Sequence, residues 1–173
     1  MPENPNNFIR ELTPADRPRI EQILTASAVF TPAEVHIALN VFDDGVRPLP
    51  TPSTTPTTTD LSPYCHFGLI SDNQLVAYAA VGETPCTDST WHLYWICVHP
   101  TAHRRGHAAR LLAHAESFIR SHRGSLLVIE TSSRPDYSPA RSLYHSRGYS
   151  QVGDIPHFYR QNDHCLIFAK PLL

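Results

Sequence analysis

Between Trp95 and Leu112 the chain runs Trp-Ile-Cys-Val-His-Pro-Thr-Ala-His-Arg-Arg-Gly-His-Ala-Ala-Arg-Leu-Leu. An apolar strand-like segment is broken by Pro100, passes through a basic turn containing Gly106, and opens an amphipathic helix. The chemistry suited to that order is anion binding. The first amides of a helix have no internal partner, and the helix dipole favours negative charge there. Gly106 and Ala108 keep side chains small where a phosphate would approach the backbone, and Arg104 and Arg105 add charge. The stretch is therefore a candidate pyrophosphate cradle, although a capped helix with surface arginines also fits it. It contains neither G-x-x-x-x-G-K-[ST] nor G-x-G-x-x-G, so neither nucleotide-binding loop is indicated.

The segment resembles motif A of the GNAT superfamily of acyl-CoA-dependent N-acyltransferases. That motif reads Val-x-Pro, a short spacer, then [Gln/Arg]-x-x-Gly-x-[Gly/Ala] opening a helix. Here it falls on Val98, Pro100 and His103-Arg104-Arg105-Gly106-His107-Ala108, with His103 replacing the usual glutamine or arginine. Downstream, Ala140-Arg141-Ser142-Leu143-Tyr144-His145-Ser146-Arg147-Gly148-Tyr149 resembles the family's Ala-x-x-Leu-Tyr-x-x-x-Gly-Phe. Seven residues before its tyrosine the family often has asparagine, and this chain has Tyr137. The resemblance spans about Phe8 to Leu172.

The resemblance implies acetyl-CoA as co-substrate, with its pantetheine arm beside Ile96, Cys97 and Val98. The pyrophosphate would lie on the turn His103 to Ala108. It further implies a sheet splayed after its central strand, direct attack of a primary amine on the thioester, and Tyr144 as the acid that protonates the departing thiolate. Read without the motif, Tyr144 is a packed residue sharing a helix face with Ala140 and Leu143. The general base stays open among Glu130 at a strand end, Glu34, Asp154 and no protein base at all. The family's acceptor site implies roles for Phe30 and for the connection carrying Asp154, Phe158, Tyr159 and Asp163, which alternatively only cover the sheet end. A binding module that holds acyl-CoA and transfers nothing is the rival function. The acceptor is a small molecule or a polypeptide, and a homodimer is left open.

Other chemistry is weaker. His99, His103 and His107 recur every fourth residue, but Pro100 and Gly106 break the helix that would stack them, and no carboxylate or cysteine completes a metal set. Cys97 in a strand interior is better read as a small hydrophobe than as a nucleophile. Cys65, Cys86, Cys97 and Cys165 form no C-x-x-C pair, as expected of free thiols in a reducing cytosol.

The elements that must position these residues can be read from spacing. Thr31-Pro32-Ala33-Glu34 is a helix start, followed by Val35, Ala38, Leu39 and Phe42 on one face. Thr13-Pro14-Ala15-Asp16 precedes a similar helix that begins near Asp16. Tyr64–Ile70 and Leu75–Val81 flank a turn at Ser71-Asp72-Asn73-Gln74. Trp91–Val98 reads as a strand covered on both faces. A long helix follows, with Ala108, Leu111, Leu112, Ala115, Phe118 and Ile119 in its stripe, and Gly124 is expected to take the left-handed position past its end. Ser125–Thr131 is another strand, Ser138-Pro139 opens a short helix ended by Gly148, and Tyr149–Gly153 and Cys165–Lys170 are the last strands. The order β-α-α-β-β-β-α-β-α-β-β predicts a single-domain GNAT-like α/β fold, a mixed, splayed sheet flanked by helices. Residues 47–60, rich in proline and threonine, predict a mobile surface connection: an insertion or a cover for a cleft.

Composition agrees with one soluble domain. The 173 residues are 41% hydrophobic and 17% charged, with a formal charge of −2. That balance disfavours nucleic-acid binding, which needs a basic surplus. No apolar stretch approaches the ~20 residues of a membrane span. Met1–Asn7 has no signal-peptide character, so a cytoplasmic protein is expected.

Overall fold

The computed structural model describes residues 7–46 and 64–172, and the 47–60 connection lies outside that range. Seven strands form one sheet: β1 (Phe8–Glu11), β2 (Tyr64–Ser71), β3 (Gln74–Glu83), β4 (Thr90–Val98), β5 (Leu126–Ser132), β6 (Ser150–Arg160) and β7 (Asp163–Pro171). Four helices flank it: α1 (Arg17–Ala26), α2 (Pro32–Gly45), α3 (His107–Ser121) and α4 (Ser138–Ser146). The element order is the expected one. Strands lie in the order β1-β2-β3-β4-β5-β7-β6, and only β4 and β5 run parallel.

Two apolar layers hold the sheet. On one face α3 and α4 bury Leu111, Leu112, Ala115, Ile119 and Tyr144 against Ala77, Ala79, Leu93, Leu127 and Phe168. On the other, α1 and α2 bury Ile20, Ile23, Leu24, Ala38, Leu39 and Phe42 against Tyr78, Ala80 and Cys97. Local chemistry fixes the ends. The Thr31 hydroxyl accepts from the Glu34 amide at 3.3 Å, while the Thr31 amide donates to the Glu34 carboxylate at 2.6 Å. Asp72 and Asn73 both take positive φ, as a two-residue hairpin turn requires.

Three expectations need correction. The left-handed residue after α3 is Arg123 (φ 63°), not Gly124. Gly124 is required sterically, because a Cβ there would sit 2.7 Å from the Trp91 ring and overlap the Ile119 side chain. β6 extends to Arg160, well past Gly153. It is an edge strand exposed along nearly its whole length, so it carries no alternation to read, and Pro156 is tolerated there. Finally, β4 is not covered throughout: Tyr94, Trp95 and Ile96 are half-buried, since the sheet parts beside them.

That parting has two causes that coincide. β4 pairs with β5 over four rungs only, from Thr90–Leu126 to Leu93–Ile129. On its other edge Val81 pairs with Leu93 but Ala80 pairs with Trp95, so Tyr94 is an extra, bulged residue. A bulge bends its strand and increases its twist. Beyond Leu93, β4 stays with β3 through Val98, whereas β5 continues with β7 to Ser132.

Candidate active site

The gap between the diverging strands opens into a cleft of about 640 Å³. Its walls come from β4 (His92 to Ile96), β5 (Ile129 to Ser132), α2 (Glu34, Ile37), the turn holding Phe30, the entry to α4 (Arg134, Tyr137), α4 itself (Ala140, Tyr144) and the β6–β7 hairpin (Tyr159, Asp163). On one edge Ile96, Cys97 and Val98 pair with Ala79, Tyr78 and Ala77; on the edge facing the gap no strand among the described residues pairs with them. Main-chain groups of such an edge can bond an extended ligand, although the Val98 carbonyl already accepts from His103.

Glu130 and Tyr144 border this cleft from opposite faces of the sheet. Ile129 packs in the α3/α4 layer, so its neighbour Glu130 points to the α1/α2 side. The Glu130 side chain is about half exposed, 3.6 Å from His92 Nε2. Tyr144 projects from α4 into the α3/α4 layer, 4% exposed, and burial pushes its phenol well above the usual tyrosine range. It stays protonated at any working pH. Gly148 (φ 82°) ends α4, with the Tyr149 amide donating to the Tyr144 carbonyl at 3.1 Å.

The basic turn lies at the far end of β4. Arg104 (φ 60°) and Gly106 (φ 77°) both take left-handed conformations, and no side chain caps α3. Apart from its own chain neighbours, a Cβ at Gly106 would meet no atom of the described residues within 4 Å, so its backbone faces open space. Arg104 and Arg105 are exposed beside it. Among the described residues the buried His107 ring has no hydrogen-bond partner on either nitrogen, and burial, with Arg110 and Arg105, lowers its pKa. Uncapped amides, open space over glycine, flanking guanidiniums and an orphaned ring fit a pyrophosphate. His103 Nε2 donates to the Val98 carbonyl at 2.8 Å, so it ties the turn to β4.

The remaining sequence candidates divide. Phe30 lies in the cleft wall, edge-on to Tyr137 at 6.4 Å. Tyr159 and Asp163 are also in the wall; Asp163 is buried, accepts from the Ser132 hydroxyl and lies 3.4 Å from Arg160 Nε. Asp154 and Phe158 are not in the wall. Asp154 accepts from His164 at 2.9 Å, and Phe158 is 54% exposed against Tyr159. The Cys97 thiol, pushed up to about 11 by burial, approaches the Ile23 carbonyl at 3.8 Å and behaves as a core atom. Residues that sequence reasoning did not single out include His92, Thr84 and Arg134. Arg134 spans the cleft mouth, donating to the Val29 carbonyl at 3.0 Å and lying over the Tyr137 ring. Burial and nearby Glu34 push the Tyr137 phenol to about 12.

Comparison with known proteins agrees with this architecture. The model of the acetyltransferase (GNAT) family matches residues 35–149. The N-alpha-acetyltransferase RimI of Mycobacterium tuberculosis is 33% identical over 132 residues, 74% of this chain and 76% of that protein. A crystal structure of a GNAT-family acetyltransferase from Desulfovibrio desulfuricans superposes with a TM-score of 0.84 at 27% identity, covering 96% of this chain and 99% of that one. A Salmonella typhimurium protein solved with acetyl-CoA shares the fold at a TM-score of 0.70 and 17% identity, over 97% and 95% of the two chains. A bulged and parted central strand, an uncapped glycine turn, and matches to both sequence and fold lead to one assignment: the chain belongs to the GNAT acetyltransferase family.

Proposed function

We propose that this acyltransferase moves an acetyl group from acetyl-CoA to a primary amine by direct attack, with a polypeptide α-amine as the first acceptor to try. The observation that carries the reading is the placement of Glu130 and Tyr144 on opposite faces of one gap in the sheet. A donor and an acceptor can then enter from different sides and meet between β4 and β5.

Each part of the chain has a role in this reading. The amides of Arg104 to Ala108 hold the pyrophosphate, and the open edge of Ile96 to Val98 holds the pantetheine arm. Acetyl-CoA supplies an activated acyl carbon and a thiolate leaving group. Main-chain donors at the parted strand stabilise negative charge developing on the acyl oxygen. Tyr144 keeps its proton until a thiolate needs it. Glu130 provides the base function on the acceptor side. Asp163 is partnered by Arg160 and Arg134 by Asp136, so the carboxylates of Glu34 and Glu130 give the wall the charge that attracts an ammonium. Ile37 on the rim is 52% exposed, which suits an acceptor larger than a simple amine. Likeness to an N-alpha-acetyltransferase supports the polypeptide reading. The described cysteines are all free, which suits a reducing cytosol.

The test is thiol release from acetyl-CoA with tetrapeptides bearing free or blocked amino termini, and with small amines. Release that depends on a free α-amine supports the proposal. Coenzyme binding with no release across the panel would make the protein a binding module.

A further inference from the structure

We infer that the base of this site is a pair, in which His92 Nε2 takes the acceptor's proton and Glu130 stabilises the imidazolium that forms. The inference rests on the acyl-transfer reading above and specifies one of its steps.

The arrangement comes from strand pairing. His92 and Val128 are register partners on β4 and β5, and Glu130 lies two residues beyond Val128 on the same face. Its carboxylate Oε1 is 3.6 Å from His92 Nε2, too far for a hydrogen bond. On the other side of the ring, Nδ1 is 3.2 Å from the hydroxyl of Thr84, just past the end of β3. Thr84 is itself held: its amide donates to the Thr90 carbonyl at 2.8 Å, and its carbonyl accepts from the Thr87 hydroxyl at 2.8 Å. The ring of Tyr94 lies 5.7 Å from that of His92. Thr84, His92, Tyr94 and Glu130 are all in the cleft wall.

In the proposed tautomer Nδ1–H donates to Thr84, and Nε2 then carries the free lone pair and faces a carboxylate across a gap with no proton between them. An ammonium fills that gap, giving one N–H to Nε2 and another to Oε1. One N–H bond breaks, its electron pair remains on the amine nitrogen, and the proton bonds Nε2. The imidazolium then lies beside the Glu130 carboxylate and releases its proton to solvent through the open cleft, where the His92 side chain is 22% exposed. As the C–N bond forms, the amine's second proton passes to the emptied Nε2 and on to solvent; Tyr144 gives its proton to the thiolate and regains one from solvent, so one proton is released overall. The groups in contact with His92 are Glu130 from β5, Tyr94 from its own strand and Thr84 beyond β3; the cleft wall also holds the carboxylates of Glu34 and Asp163, the phenols of Tyr137, Tyr144 and Tyr159, and the guanidinium of Arg134. A carboxylate acting alone is a weak acceptor at neutral pH, whereas an imidazole is matched to it.

The test has two arms. In the first, ¹⁵N chemical shifts of the imidazoles in the whole protein, assigned with His92→Gln, report the tautomer. The Nδ1–H form is expected, moving toward Nε2–H in Thr84→Val; an Nε2–H form in the parent protein overturns the inference. In the second, kcat/KM for the best tetrapeptide acceptor is followed against pH. His92→Gln is expected to lose about 100-fold near pH 6.5 and to recover to within about 3-fold near pH 9.5, where an α-amine is already unprotonated. An equal loss at every pH marks a merely structural role and overturns the inference, as does an unchanged rate at pH 6.5. If the parent protein releases no thiol, the acyl-transfer reading fails, and the tautomer alone decides whether His92 is poised as described.

Discussion

Leu93 and Ile129 form the last rung between β4 and β5, and the residue after Leu93 is the one that bulges. One position therefore ends a parallel ladder and turns the strand away from its neighbour. Everything assigned to the reaction lies at or beyond that rung, apart from His92 and Thr84, which flank it. The cleft is a product of sheet geometry rather than of a loop.

Tyr144→Phe removes one hydroxyl from a buried site without changing its shape. Turnover is expected to fall by about 100-fold or more, the range for loss of a general acid, while acetyl-CoA affinity measured by calorimetry is unchanged. Because burial keeps the phenol protonated, no alkaline loss of rate due to Tyr144 is expected below about pH 10.

Gly106 separates two costs. Gly106→Ala adds a methyl group in open space but must keep φ at 77°, so a stability loss of about 1 kcal/mol is expected with coenzyme binding partly retained. Gly106→Glu places bulk and negative charge where the pyrophosphate is assigned. Coenzyme affinity should drop by at least about 100-fold; retained affinity would move the phosphate site elsewhere.

Gly45 tests packing between α2 and β2. A Cβ there would overlap His66 Nε2, which donates to the Val41 carbonyl at 3.2 Å. The ring cannot swing away, being stacked on Tyr78 and edged by Phe42. Helix propensity alone would make Gly45→Ala stabilising, but overpacking wins, and a loss of about 1–3 kcal/mol in urea unfolding is expected.

His66 also gives stability a pH dependence. Burial lowers its pKa to about 4, against about 6.5 in the unfolded chain. Between those values the unfolded chain binds the proton and the folded chain does not, so stability falls as pH falls from about 6.5 to about 4. The total is about 3 kcal/mol. His107 and His114, also lowered by burial, steepen the same slope. The comparison that isolates His66 is therefore unfolding at pH 7.5 and 4.5 for His66→Leu beside the parent, with a shallower slope expected in the variant.

Much of the fold was legible because helix caps and apolar spacing are local. Thr31 and Glu34 are three residues apart, and Asp72-Asn73 needs only its own backbone. The turn from His103 to Ala108 was legible for the same reason. What stayed hidden depends on pairing. The bulge at Tyr94 lies inside an unbroken apolar run, so nothing in the sequence marks it. His92, Thr84 and Glu130 are brought together by strand register alone. Asp154, Phe158, Tyr159 and Asp163 read in the sequence as one connection, but that stretch is mostly extended β6, which directs successive side chains to opposite faces and leaves Asp154 and Phe158 outside the cleft wall.

The most direct test of the central claim is a crystal structure of the protein with coenzyme A. The account predicts the pyrophosphate on the amides of Arg104 to Ala108, the pantetheine arm along the open edge of Ile96 to Val98, and the sulfur in the gap beside Tyr144. Coenzyme bound on another face, with the gap past Leu93 and Ile129 left empty, would contradict it.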